Sequence, residues 1–216
     1  MLGVIELRQY TLHPGQRDTL ISLFEEAFIE PQEAAGIRVL GQFRDLDDPD
    51  RFVWLRGFPD IGARPAALGS FYGGPVWAQH REAANATMID SDDVLLLRPL
   101  PCGPGLSGDG AAPLQPGSLI TATVYRLREE PSAECLELFA AAGAGAVAVL
   151  QTEPAPNNFP GLPVREGEHV LVRIDRVRDV GASEPIASAA WPEGKPFLDG
   201  PPRVLRLEPT HRSLLR

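Results

Sequence analysis

Over residues 4–12 (Val-Ile-Glu-Leu-Arg-Gln-Tyr-Thr-Leu) apolar and polar side chains alternate with a period of two. Leu20, Ile21, Leu23, Phe24, Ala27 and Phe28 then recur at helical spacing. The first pattern puts successive side chains on opposite faces of a strand, and the second gathers them on one face of a helix. This switch, across Pro14-Gly15, is the strongest constraint on the fold because the alternation of strand and helix patterns continues through the first hundred residues. The helix ends near Gly36, and residues 37–46 and 51–58 read as a second and third strand, joined over the turn-forming Asp47-Asp48-Pro49-Asp50. A helical region follows from about 60 to 86, broken at Gly73-Gly74-Pro75, where proline suits the first position of a restarted helix. Val94 to Leu97 give an apolar fourth strand.

The order β-α-β-β-α-β predicts a ferredoxin-like unit, an antiparallel four-stranded sheet with two helices on one face. Residues 101–117 are dominated by proline, glycine and small residues, the composition of a linker. Beyond them the pattern restarts: Tyr125 precedes Cys135 to Phe139 by the interval that separates Tyr10 from Leu20 to Phe24. Strands at about 146–152, 168–177 and 203–208, with a short helix near 183–190, complete a degenerate second copy. The expected class is therefore α+β, with two ferredoxin-like units at 1–100 and 118–216. Each sheet has one face bare of helices, and pairing two such faces makes a barrel, within the chain or between chains.

Lys and Arg number 20 against 29 Asp and Glu, a net charge of −9, and the basic residues form no run. That field repels nucleic-acid phosphates and anionic membrane surfaces. With no long apolar stretch and no leader pattern at the start, the expectation is a cytoplasmic protein with neither partner. Cys102 and Cys135 form no C-x-x-C pair, and no disulfide is expected in a reducing compartment. His169 and His211 lack a second ligand at metal spacing, so no metal is expected. The acidic runs Asp45 to Asp50 and Asp90 to Asp93 lack the glycine and distal glutamate of a calcium loop and read as solvated turns. No G-x-G-x-x-G, phosphate-binding loop or G-x-S-x-G is present, so no cofactor is expected and α/β-hydrolase chemistry is disfavoured.

On the first strand Glu6, Arg8 and Tyr10 share a face; on the neighbouring third strand Trp54, Arg56 and Phe58 do. Unpaired buried charge is costly, so Glu6 and Arg8 either form a structural ion pair, lie solvated on an open sheet, or line a polar cavity. In a cavity, Arg8 or Arg56 would grip a small planar anion in fork geometry while Trp54 stacks on its ring. His80 shares a helix face with Trp77 and Ala84, as a packing residue or a general base. The candidate site is thus His80, Tyr10 and Glu6 for proton transfer, with Arg8, Trp54, Arg56, Phe58 and Trp77 contacting substrate.

The stretch Ile5 to Gly15 (Ile-Glu-Leu-Arg-Gln-Tyr-Thr-Leu-His-Pro-Gly) resembles the opening strand and turn of NIPSNAP proteins. So do Val39-Leu40-Gly41 with Phe43-Arg44, Val53-Trp54-Leu55, and Phe71-Tyr72-Gly73-Gly74-Pro75-Val76-Trp77, and the similarity spans about residues 4–98. The chain departs from the family at His13, where a basic residue is common, and at Trp54, where the third strand often carries a histidine. The resemblance implies the dimeric α/β-barrel fold, shared with cofactor-free monooxygenases, small isomerases and haem-degrading enzymes, and a fold does not fix a reaction. Two functions stay open. One is a cofactor-independent enzyme moving protons or oxygen on a small aromatic or polyketide-like molecule. The other is a non-catalytic protein for ligand sequestration or homo-oligomer assembly, which a cavity packed solid by Trp54, Phe58 and Tyr125 would favour. Haem handling, by fold analogy alone, would require a histidine reaching the cavity.

Overall fold

A computed structural model describes residues 2–101, 103–106, 118–178 and 191–216. Its strands are β1 (Val4–Leu12), β2 (Arg38–Asp45), β3 (Arg51–Phe58), β4 (Met88–Pro99), β5 (Ser118–Arg126), β6 (Ala148–Thr152), β7 (Val170–Arg178) and β8 (Arg203–Pro209). They form one closed antiparallel barrel in the order β1-β3-β2-β8-β5-β7-β6-β4. The four strands of the first half stay together, as do the four of the second. The seams between halves are short, β2 against β8 through Phe43 to Asp45 and β4 against β6 through Leu97 to Pro99. Barrel closure is therefore intramolecular, and it leaves no bare sheet edge along the ring.

Helices cover the outside. The first is α1 (Arg17–Leu23), running through a π-helical turn at Phe24–Phe28 into α2 (Ile29–Ala34), which Gly36 terminates with φ +86°. After β3 come α3 (Arg64–Tyr72) and α4 (Pro75–Asn85), each opened by a proline in its first turn and separated at Gly73-Gly74. In the second half α5 (Ala133–Ala142) is capped by Ser132, whose hydroxyl accepts from Cys135 N at 3.2 Å, and a 3-10 turn spans Pro192–Phe197. The expected helix near 183–190, Cys102 and most of the 101–117 linker lie outside the described residues.

Alternation decides what each face meets. Ile5, Leu7, Val53, Leu55, Leu95, Leu97, Ile120, Ala122, Val172 and Leu205 point inward and fill the barrel with an apolar core. The opposite face of the first-half strands packs Tyr10, Phe52, Trp54 and Phe58 against Phe24, Phe28, Leu68 and Phe71 of the helices. Glu6, Arg8 and Tyr10 thus face the helix layer and not the barrel interior. Trp54 and Phe58 lie in this first-half core, whereas Tyr125 lies in a separate second-half core with Phe139 and Trp191.

Two acidic runs differ from expectation. Strand β4 begins at Met88, and Asp90 and Asp93 pair with Thr11 and Gln9 of β1 across a register shift, so that run is strand and not turn. The turn after β2 is pinned on several sides: Asp45 is buried and pairs with Arg51, Arg17 donates to the Asp45 and Asp48 carbonyls, and Arg206 of β8 pairs with Asp47 at 2.7 Å.

Candidate functional site

Glu6 sits on β1 directly opposite Arg56 of β3, and neither is exposed. Its Oε2 accepts from Arg8 Nη1 at 2.6 Å and from Arg56 Nε at 2.7 Å, and its Oε1 accepts from Arg64 Nε at 2.7 Å. Arg64 opens α3, so the carboxylate ties sheet to helix. Burial alone would push the Glu6 carboxyl up, but the attraction of Arg56, Arg8 and Arg64 outweighs it and holds the group far below the ordinary carboxylate range. Such a carboxylate takes up no proton near neutral pH, and its role is that of a fixed counter-charge.

The guanidiniums reach onward. Arg8 Nε donates to the Tyr10 hydroxyl at 2.9 Å, while Arg56 Nη1 donates to Gln32 Oε1 at 3.3 Å and the Tyr72 hydroxyl at 3.2 Å. Arg56 also lies over the rings of Trp54, Phe58 and Tyr72, 5.1 to 5.7 Å from their centroids. On the far side Arg64 Nη1 donates to the side-chain carbonyls of Asn157 and Asn158, both at 3.0 Å. These asparagines belong to the 153–169 segment between β6 and β7, a strap from the second half. Asn158 also donates to the Ile61 carbonyl, Phe159 comes within 6.4 Å of the Tyr72 ring, and Arg165 pairs with Asp93.

Beside the cluster is a residual cavity of about 40 Å³, walled by Tyr10, Trp54, Phe24, Phe28, Phe71, Tyr72 and Trp77, with Leu20, Gln32, Ala84 and Met88. Phe24 and Phe28 come from the π-helical turn, a distortion enriched at functional sites. Tyr72, Gln32 and Tyr10 separate this space from Arg56 and Arg8. A much larger open groove of about 620 Å³ runs under the strap past Arg98, Glu130, Glu153 and His169; it meets the cluster's edge at Asn157, which accepts from Arg64, but no Phe, Tyr or Trp lines it.

The expected residues therefore divide. Tyr10, Trp54 and Trp77 line the cavity, and Glu6, Arg8 and Arg56 form the charged cluster behind it. Phe58 lies beneath Arg56 and does not line the cavity. His80 is half-buried, edge-on to Phe28 at 6.3 Å, outside the cavity wall. Arg64, Gln32, Tyr72, Asn157 and Asn158 escaped the sequence reading. Arg64 had a signal, since Arg64, Ala67, Leu68 and Phe71 fall at i, i+3, i+4 and i+7 and all are buried. Among the described residues no group of three or more His, Cys, Asp or Glu is placed to hold a metal ion, and no helix is long and apolar enough to cross a membrane.

Fold and site together define an antiparallel α/β barrel with an aromatic cavity and a buried arginine–glutamate cluster under one helix layer. Residues 5–104 match the NIPSNAP family model, and the chain carries a NIPSNAP domain over that range. A candidate monooxygenase from Fusobacterium nucleatum subsp. nucleatum superposes with a TM-score of 0.64 at 11% identity, covering 96% of this chain and 92% of its own. Another from Lactobacillus acidophilus gives 0.59 at 12% identity, covering 97% and 94%. An uncharacterized NIPSNAP-like domain protein from Burkholderia xenovorans is 24% identical over 52% of this chain and 93% of its own, with a TM-score of 0.44. No curated protein matches the chain. At such identities the likeness is one of fold.

Proposed function

We propose that this protein binds a small planar molecule in the cavity between the first-half helices and the outer face of β1 and β3. On this reading the two halves are two versions of one ferredoxin-like unit, the second supplying the strap that closes the first one's site. The observation that carries the proposal is the convergence of seven aromatic side chains, from Tyr10 to Trp77, on one space. As it stands the space holds a water or two and not a ring. Ligand entry therefore requires the π-helical turn and α4 to move outward, about the break at Gly73-Gly74.

Binding without turnover fits the wall better than proton abstraction, because no His, Asp, Glu or Lys lines the cavity. Should the chain act as a cofactor-independent enzyme, as the monooxygenase-type fold allows, Tyr10 and Tyr72 would be the groups donating protons there. The test is tryptophan fluorescence and calorimetry against a panel of single-ring aromatic compounds, with Ala84→Val as the filled-cavity control. Saturable binding lost in Ala84→Val, a small-to-large change at a buried position expected to cost no more than about 1–3 kcal/mol, supports the reading. Absence of saturable binding across the panel removes it.

A further inference from the structure

We infer that the ligand of this pocket is an anion, a small aromatic carboxylate whose charged end lies against Tyr10, Tyr72 and Trp54. The inference rests on the pocket proposed above and adds the sign of the ligand's charge. Three fully buried guanidiniums share one carboxylate, and among the described residues every ion pair they make is to Glu6, which leaves two positive charges uncompensated. Buried charge without a partner is costly, so a site of this kind favours whatever brings a negative charge to it.

The hydrogen-bond directions agree with the count. Nη2 of Arg56 and Nη2 of Arg64 are buried donors without an acceptor. The Tyr10 and Tyr72 hydroxyls each accept from an arginine, which leaves each O–H free to donate, on side chains that line the cavity. Trp54 is 2% exposed, lines the same cavity, and its indole N–H is unpartnered. The acceptor on the wall, Gln32 Oε1, already receives Arg56. The polar end of the pocket is thus made of donors in a positive field, the complement of a carboxylate. A neutral amide of the same shape offers one acceptor where the carboxylate offers two, and its NH₂ would face donors.

The experiment compares benzoate with benzamide, equal in shape and different in charge, by calorimetry on the full chain, Tyr10→Phe and Tyr72→Phe. Benzoate is expected to bind at least tenfold tighter than benzamide, and the preference is expected to fall severalfold in each variant while far-UV circular dichroism and cooperative thermal unfolding stay those of a folded protein. A crystal structure with benzoate checks the same point without any substitution, by placing the carboxylate within hydrogen-bond distance of both tyrosines. Equal affinity for the two compounds overturns the inference and leaves the aromatic pocket standing. Failure of both to bind overturns the pocket as well. A benzoate preference untouched by either variant, with the carboxylate located elsewhere, also overturns the inference.

Discussion

In Glu6→Gln the side chain keeps its shape and loses its charge, which isolates the part of the cluster that matters electrostatically. The wild-type carboxylate receives three guanidinium bonds, at 2.6, 2.7 and 2.7 Å. Bonds of this charged kind contribute about 1.5–3 kcal/mol each. An amide can accept at one atom, but its NH₂ must meet an arginine N–H, so at least one bond becomes a contact between donors. Three buried cations then lack any counter-charge. Removing one partner of a buried ion pair costs about 3–5 kcal/mol, and the loss here is expected at or above the top of that range, against a total stability of the order of 10 kcal/mol. Urea unfolding followed by circular dichroism reads it directly. The pH dependence supplies a second check with a definite sign. Because the folded pKa of Glu6 is depressed below 4.5, the unfolded chain takes up the proton first as pH falls. The contribution of Glu6 is therefore complete above about pH 4.5 and declines below it, by up to about 1.4 kcal/mol per pH unit. The gap between parent and variant should narrow as the pH is lowered through that window. A loss below about 1 kcal/mol at neutral pH, or a gap that does not narrow, would refute the assignment of Glu6 as the sole counter-charge.

Three other outcomes are expected. Burial pushes Tyr125 up to about 12, with Arg173 drawing it down and Asp175 adding to the rise; burial raises Tyr10 as well, so ultraviolet titration should find one phenol fewer still protonated at about pH 11 in Tyr125→Phe than in the parent. The stability linked to that proton is full below about pH 10, the unfolded value, and is lost as pH rises towards 12. Asn158→Ala removes the bonds to Arg64 and to the Ile61 carbonyl and should cost about 1–2 kcal/mol, with faster amide exchange confined to 153–169; unchanged exchange there would show that the strap is held by other contacts. In a Cys102→Ser background, the buried Cys135 thiol, raised by burial and by Glu134, should resist an aromatic disulfide reagent until the protein is unfolded, and rapid labelling of the native state would contradict its placement.

How far the chain can be read without its structure depends on the range of the interaction. Strands β1 and β3 match the periodicity to the residue, because alternation is written locally in 4–12 and 51–58. The first six residues of β4 were hidden, since none of Met88 to Asp93 is buried, three of the six are aspartate, and they owe their strand form to pairing with β1. Alternation also told which residues share a face, putting Glu6, Arg8 and Tyr10 together, but not that the helices would cover that face. Arg64 reaches Glu6 across 58 residues and Asn158 across 94, and nothing in a local window marks either contact. Arg64 alone left a trace, as a charged residue on an apolar helical stripe.

The register of the second half shows why the chemistry should be confined to one end of the barrel. Tyr125 on β5 pairs opposite Leu171, the second residue of β7, as Tyr10 on β1 pairs opposite Phe52, the second residue of β3. Stepping along these ladders, the places of Arg8 and Trp54 are taken by Thr123 and Arg173, and those of Glu6 and Arg56 by Thr121 and Asp175. Among the described residues of the second half the buried carboxylate with three arginines thus has no counterpart, and Arg173 and Asp175 pair with each other at 2.9 Å. Tyr125, Phe139 and Trp191 pack there ring against ring, 5.0 to 5.7 Å between centroids. Because both halves belong to one chain, their helix-facing sides are free to differ. The first can keep an electropositive aromatic cavity while the second puts its polar side chains into the strap, where Asn157 and Asn158 hold Arg64. Benzoate binding should accordingly saturate at one equivalent per chain, and two equivalent sites would contradict this division of roles.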